Sequence, residues 1–187
     1  MKRERILEAG LEVMKAQGYH GTSVNDIVAA AGIPKGSFYN YFQSKEDFAV
    51  AAIEQVACTS LKASESALHT GDQSAVARLR NFFSDQADDC GQQGFKVGCF
   101  LGNMSQEMAD GNEAIRKVVN AALQEQTGLI RSILDQGKAA GEVDTDVDTQ
   151  MLAEFLFNAW EGALLKMKAT KSRAPLEAFI QQFQRAL

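Results

Sequence analysis

Thr22-Ser23-Val24-Asn25-Asp26-Ile27-Val28-Ala29-Ala30-Ala31-Gly32-Ile33-Pro34-Lys35-Gly36-Ser37-Phe38-Tyr39-Asn40-Tyr41-Phe42 reads as two short helices joined by a tight turn. Ser23 and Asp26 stand three apart, the spacing of a capping box in which each side chain bonds the other's backbone N–H. Val24, Ile27, Val28 and Ala31 then recur at i, i+3, i+4 and i+7, one apolar helical face. Gly32 stops that helix after about two turns. Pro34 fits the first position of the next helix, where a missing N–H costs nothing, and that helix is expected to reach about Phe42. Such a pair is a helix-turn-helix, which holds its second helix out for a major groove. Phe38 and Phe42 supply an apolar inner face. Lys35, Ser37, Tyr39, Asn40 and Tyr41 point elsewhere, with the ammonium, hydroxyl and amide groups that bond phosphates and base edges. In the alternative reading, the tyrosines merely cover the core edge.

The same helical period extends outward in both directions. Residues 3–17 carry Ile6, Leu7, Leu11, Val13 and Met14 on one wide stripe, and Gly18 is a C-terminal stop. Ser44 is placed to cap a long helix from Lys45 to about His69. A polar break at Thr70-Gly71-Asp72-Gln73 precedes a helix over about 74–90, and Gly91–Gly98 reads as a loop. A short helix over about 99–110 is followed by a long one ending at Gly141. Leu152, Phe155, Leu156, Ala159 and Ala163 mark an unusually apolar helix, and Pro175 starts a last one through Phe179 and Phe183. No alternating strand pattern occurs, so the fold class is all-α, with about nine helices.

Composition narrows the function. The 187 residues contain only two prolines, which leaves long helices uninterrupted. No stretch approaches a membrane span, and MKRERILEAG has no apolar stretch of a signal peptide, so no membrane partner is expected. Cys58, Cys90 and Cys99 form no CxxC or Cys/His spacing, which argues against a disulfide framework or a metal and suggests a reducing cytoplasm. His20 and His69 are the two histidines. Without a Ser/His/acid set or a phosphate loop, the chain is expected to be no enzyme and to need no cofactor. The net charge of −5 has the wrong sign for a nucleic-acid binder taken whole. Residues 1–50, however, hold six basic and six acidic side chains, so the excess lies entirely beyond them.

Ile6-Leu7-Glu8-Ala9-Gly10, Gly18-Tyr19, Thr22 to Ile27 and Ala31 to Glu46 together resemble the DNA-binding domain of the TetR family of transcriptional repressors. The resemblance implies a DNA-binding domain over residues 1–46 and an effector-sensing, dimerising domain over 47–187. It places Thr22, Lys35, Gly36, Ser37, Tyr39, Asn40, Tyr41 and Lys45 at DNA. Thr22 and Lys45 would be phosphate contacts, and Gly36 a point of close backbone approach. The expected partners are double-stranded operator DNA, a second copy of the chain, and an effector. The apolar residues of the last two helices (Leu152, Phe155, Leu156, Ala159, Ala163, Phe179 and Phe183) are the best candidates for the homodimer interface, with an internal core as the alternative.

Cys99 falls at an expected helix start after a loop containing Lys96, an environment that favours a thiolate; a small buried hydrophobe is the alternative. Gly98-Cys99, Glu107 and Trp160 to Lys168 resemble the NemR-type subgroup, which senses reactive electrophiles and hypochlorite. The resemblance implies that Cys99 is the sensing residue and that Lys168 lies close to it. Phe100, Asn103 and Trp160 are further candidates for effector contact. A purely non-covalent ligand pocket, or a helical interaction module that does not bind DNA, are the alternative functions.

Overall fold

The computed structural model describes residues 2–69 and 73–186, with side chains as far as Phe183. The Thr70-Gly71-Asp72 break lies outside the described residues. Among the described residues are nine helices and no strand: α1 (Lys2–Gly21), α2 (Val24–Ala31), α3 (Lys35–Phe38), α4 (Lys45–Leu68), α5 (Ala75–Gln92), α6 (Phe100–Met108), α7 (Glu113–Ala139), α8 (Thr149–Thr170) and α9 (Ala174–Ala186). Contacts divide them into two compact units that do not follow chain order. One joins the chain up to Cys58 with Phe100–Ala122; the other joins Thr59–Cys99 with the chain from Leu123 onward. A cut at residue 46, as read along the chain, would put α6 and the start of α7 with the sensor, whereas their contacts are with the first unit.

The first unit is organised around aromatic packing. The ring centroids of Phe38, Phe42 and Phe48 lie 5.1–6.0 Å apart, and Ile6, Leu11, Met14 and Ile27 are buried with them. At Gly10, an added Cβ would come within 2.6 Å of the Phe48 ring and 2.7 Å of Ile27, so a glycine is what lets α1 approach. The Ser23–Asp26 capping box forms as expected: Ser23 Oγ accepts from Asp26 N, and Asp26 Oδ2 accepts from Ser23 N at 2.8 Å. Gly32 closes α2 in the left-handed region, φ 65.

Two helix boundaries differ from expectation for local reasons. Pro34 is the N-cap of α3, extended at ψ 145, not its first helical residue. The helix itself ends at Phe38, and the chain continues as a turn in which Phe38 O accepts from Tyr41 N and Phe42 N. Gly36, Ser37 and Asn40 are poor helix formers, so the burial of Phe38 and Phe42, not propensity, holds this segment.

The second unit has its own core. Phe83 sits at its centre, with ring centroids 5.1 Å from Trp160, 4.8 Å from Phe179 and 5.8 Å from Phe183. The Glu142 carboxylate accepts from Ala75 N and Val76 N, satisfying the first turn of α5. These backbone bonds hold Glu142 below the usual carboxylate range. Arg78 donates to Leu68 O and Gln136 Oε1, tying the end of α4 to α7.

Candidate functional site

The segment from Lys35 to Phe42 presents two opposite faces. Phe38 and Phe42 are 0% and 1% exposed, whereas Tyr39 and Tyr41 are 53% and 37% exposed. Lys35, Gly36 and Asn40 share the outer face, and Ser37 is half-buried beside them. A Cβ added at Gly36 would meet nothing within 4 Å, so another backbone can approach there. The result is a convex polar ridge with one cation, two phenols, an amide and a hydroxyl, braced from behind by the Phe38 ring, which packs edge-on against Tyr39 at 5.3 Å. These are groups that position on phosphates and read base edges.

Thr22 and Lys45 are held elsewhere. Thr22 is 1% exposed, and its hydroxyl donates to Gly18 O at 2.7 Å. This carbonyl satisfies the hydroxyl's proton within the domain. Lys45 Nζ donates to Tyr19 O and Thr22 O, both at 3.0 Å, and lies 4.1 Å from the Tyr19 ring centroid. Tyr19 in turn donates to Glu46 Oε1 at 2.9 Å. Burial, followed by the neighbouring carboxylate, pushes the Tyr19 phenol well up. Its own backbone N–H, then Ser44 and Tyr19, hold Glu46 low. Lys45 thus fastens the start of α4 to the end of α1, setting the frame that presents the ridge.

Glu107 fastens the same end of α1 from α6. Gly18 leaves the helix at φ 76, ψ 176, a conformation essentially limited to glycine. The bend turns His20 N toward Glu107 Oε2 at 2.9 Å, while the His20 ring nitrogen Nε2 lies 3.3 Å from the Glu107 carbonyl. A side chain at Gly18 would collide with the Glu107 carboxylate.

In the second unit, Cys99 immediately precedes α6 and packs on the core at half-burial. Its thiol donates to the Glu161 carboxylate of α8. Burial pushes Glu161 up, and the thiol's hydrogen bond partly opposes that shift. Lys168 lies beside Gly98, the residue before Cys99: its Cδ would be 3.7 Å from a Cβ there. The other sensor candidates divide between the two units. Trp160 is a core residue, 3% exposed in the aromatic cluster. Phe100 is buried and Asn103 half-buried, and both belong to the first unit.

The interface candidates also divide. Leu156, Ala163, Phe179 and Phe183 are at most 9% exposed within their own chain, so the internal core takes them. Leu152 and Ala159 are half-buried. Phe155 is 64% exposed and shares one face of α8 with exposed Met151 and Leu165. A separate open groove of about 470 Å³ lies along α7 and α8, lined by Gln124, Thr127, Gly128, Arg131, Ser132, Asp135, Gln150 and Glu154. Its polar groups largely bond one another, as in Arg131 Nη1 to Gln150 Oε1 at 2.8 Å.

Residues 6–52 match the bacterial regulatory proteins of the tetR family, and residues 75–183 match the tetracyclin repressor-like C-terminal domain. The chain belongs to the TetR family. The HTH-type transcriptional repressor DhaR of a Mycobacterium species is 32% identical over 95% of this chain and 88% of its own length. The transcriptional regulator AcuR of Cereibacter sphaeroides is 33% identical over 99% and 84%. The HTH-type transcriptional repressor NemR of Escherichia coli is 27% identical over 94% and 88%. The crystal structure of its reduced form superposes at TM-score 0.92, 26% identical, covering 98% of this chain and 95% of that one. These relatives are transcription regulators, not enzymes.

In this TetR-family chain, the two faces of the Lys35–Phe42 segment were legible in the sequence, but their supports were not. Glu107 is 87 positions from His20, and no local pattern relates them. Glu161 carries a weak signal: it stands between Ala159-Trp160 and Gly162-Ala163-Leu164-Leu165, and a charge placed in that short apolar run needs a partner.

Proposed function

We propose that this TetR-family regulator represses transcription by binding operator DNA as a homodimer, and leaves it when an electrophile or oxidant modifies Cys99. The observation that carries the DNA-binding half is the ridge of Lys35, Gly36, Ser37, Tyr39, Asn40 and Tyr41, exposed opposite the buried Phe38 and Phe42. Two such ridges, related by a two-fold axis, would read half-sites about 34–36 Å apart, one turn of DNA, or a wider spacing on adapted DNA. Met151, Phe155, Gly162 and Leu165 form the face that meets the second copy: they recur at helical spacing, and nothing lies within 4 Å of a Cβ on Gly162. Effector binding then favours a dimer geometry in which the two ridges no longer match adjacent grooves, which requires different effector affinities for the two states.

Cys99 carries the sensing half, with Lys168 alongside its loop, as in the resemblance to NemR-type regulators. A mobility-shift assay with operator DNA tests both halves. Lys35→Ala with Tyr39→Ala is expected to abolish the shift; retained binding would revive a protein-interaction role. Cys99→Ser is expected to bind operator but to resist release by N-ethylmaleimide or hypochlorite. Undiminished release would reject the thiol mechanism. The hydrogen bond from the thiol to Glu161 favours a second reading, a non-covalent pocket that Cys99 only lines, in which mass spectrometry shows no adduct at inducing concentrations.

A further inference from the structure

The ridge itself carries one cation, Lys35, which is little charge for a surface that must sit among phosphates. The first fifty residues hold six basic side chains, and two of these are committed within the chain. Lys45 is bonded to Tyr19 O and Thr22 O, and Lys15 to Glu12. In the second stretch of the same unit, Arg116 and Lys117 both pair with Glu113. Lys2, Arg3 and Arg5 remain, all exposed in the first turn of α1, where Glu4 offsets only one of the three charges.

The fold brings the two arginines to the two ends of the ridge. Arg3 holds its guanidinium over the ring of Phe42, the last residue of the ridge, 4.9 Å from the centroid. Arg5 reaches the turn that leads into α3: its Nη2 would lie 3.3 Å from a Cβ on Gly32. Among the described residues, no ion pair holds either guanidinium. A ring face attracts a cation without consuming its N–H groups, so Arg3 keeps its donors.

We propose that Arg3 and Arg5 are phosphate clamps, which hold the DNA backbone at either end of the ridge while the ridge itself faces the base edges. This rests on the reading of Lys35–Phe42 as the DNA-binding surface. A ridge seated in a major groove about 12 Å wide has phosphates along both walls, and its ends approach them. Guanidinium suits that place, because its planar fork offers phosphate two parallel N–H bonds and it does not lose its charge by deprotonation. Phosphate contacts position a protein without reading sequence. The arginines therefore set affinity and its salt dependence, and the ridge sets the preference among sequences.

The probe is the duplex that the full-length protein enriches from a random-sequence pool, with a mixed-sequence duplex of equal length beside it. Fluorescence anisotropy follows binding from about 50 to 200 mM KCl. Arg3→Gln with Arg5→Gln is expected to lower the slope of log K against log salt by about 0.9 for each phosphate contact removed. It should weaken both duplexes by the same factor and leave the enriched sequence unchanged. Arg3→Lys with Arg5→Lys keeps both charges and is expected to keep the slope. Thermal melting accompanies each pair; where Arg3→Gln lowers stability through the Phe42 ring, Arg5→Gln alone carries the test. An unchanged slope in the Gln variants would overturn the proposal. So would a slope lost equally in the Lys pair, or a loss confined to the enriched duplex, which would make the arginines base readers. If the pool yields no enriched duplex, the DNA-binding reading falls and the clamps with it. If it yields one that the Gln variants bind with the slope of the unmodified protein, the clamps alone fall.

Discussion

Lys45→Met separates a structural lysine from a DNA-binding one. Methionine keeps the length and apolar stem but removes both hydrogen bonds, to Tyr19 O and Thr22 O, and the cation over the Tyr19 ring. A hydrogen bond to a charged group contributes about 1.5–3 kcal/mol, and a partly desolvated cation–π contact about 1–2 kcal/mol. Water will reach part of the vacated site and hydrate the two carbonyls, so the net loss is set near the lower end, about 2–4 kcal/mol. In a domain of this size, that lowers Tm by roughly 4–16 °C. Thermal melting and urea unfolding measure it directly. The companion assay is the dependence of operator affinity on salt. Each phosphate neutralised by a lysine contributes about 0.9 to the slope of log K against log salt. Lys45→Met is expected to weaken binding through the frame while leaving that slope unchanged. A slope reduced by about 0.9, with unchanged stability, would refute the reasoning and return Lys45 to the DNA surface.

Three further expectations follow from the same geometry. Gly18→Ala forces a Cβ into a glycine-only conformation facing Glu107, and is expected to cost about 1–3 kcal/mol in urea unfolding; an unchanged midpoint would mean that the bend is not strained. Phe155→Glu is expected to convert the dimer to monomer in sedimentation with little change in monomer stability, whereas Phe179→Ala, within the core, should cost about 3–5 kcal/mol; a dimeric Phe155→Glu would place the interface elsewhere. Glu142 is held below its ordinary value of 4.5 by the α5 N–H groups, so its contribution to stability is fully present above pH 4.5 and disappears as pH falls through its lower folded value. Glu142→Gln should therefore flatten the acid limb of a stability–pH curve; an unaltered limb would exclude Glu142 as its source.

What could be read in advance was whatever depends on near neighbours in the chain. The Ser23–Asp26 box, the stop at Gly18 and the inner face of Phe38 and Phe42 each lie within a turn or two of helix, where spacing determines geometry. For Thr22 and Lys45 the sequence showed a hydroxyl and an ammonium but not their partners within the domain, because only tertiary structure brings Gly18 O, Tyr19 O and Thr22 O to them. The apolar α8 and α9 posed a similar problem. Phe155 and Phe179 have the same chemistry at the same helical period, yet one is exposed and the other packs on Phe83. Periodicity finds an apolar face but does not say whether the cover is the chain itself or a second copy. Glu161 and Cys99 are 62 positions apart, and only the packing of α8 beside the loop before α6 pairs them.

The seat of Glu107 at the α1 bend has a practical consequence for building hybrid regulators. The unit that carries the Lys35–Phe42 ridge is assembled from two separate stretches of chain, the second being Phe100–Ala122. A chimaera grafting only the first 58 residues onto another sensor would leave the His20 N–H and the space beside Gly18 facing whatever residue the host supplies at position 107. Specificity should transfer cleanly only when the graft carries both stretches, or when the host already has a glutamate at that position.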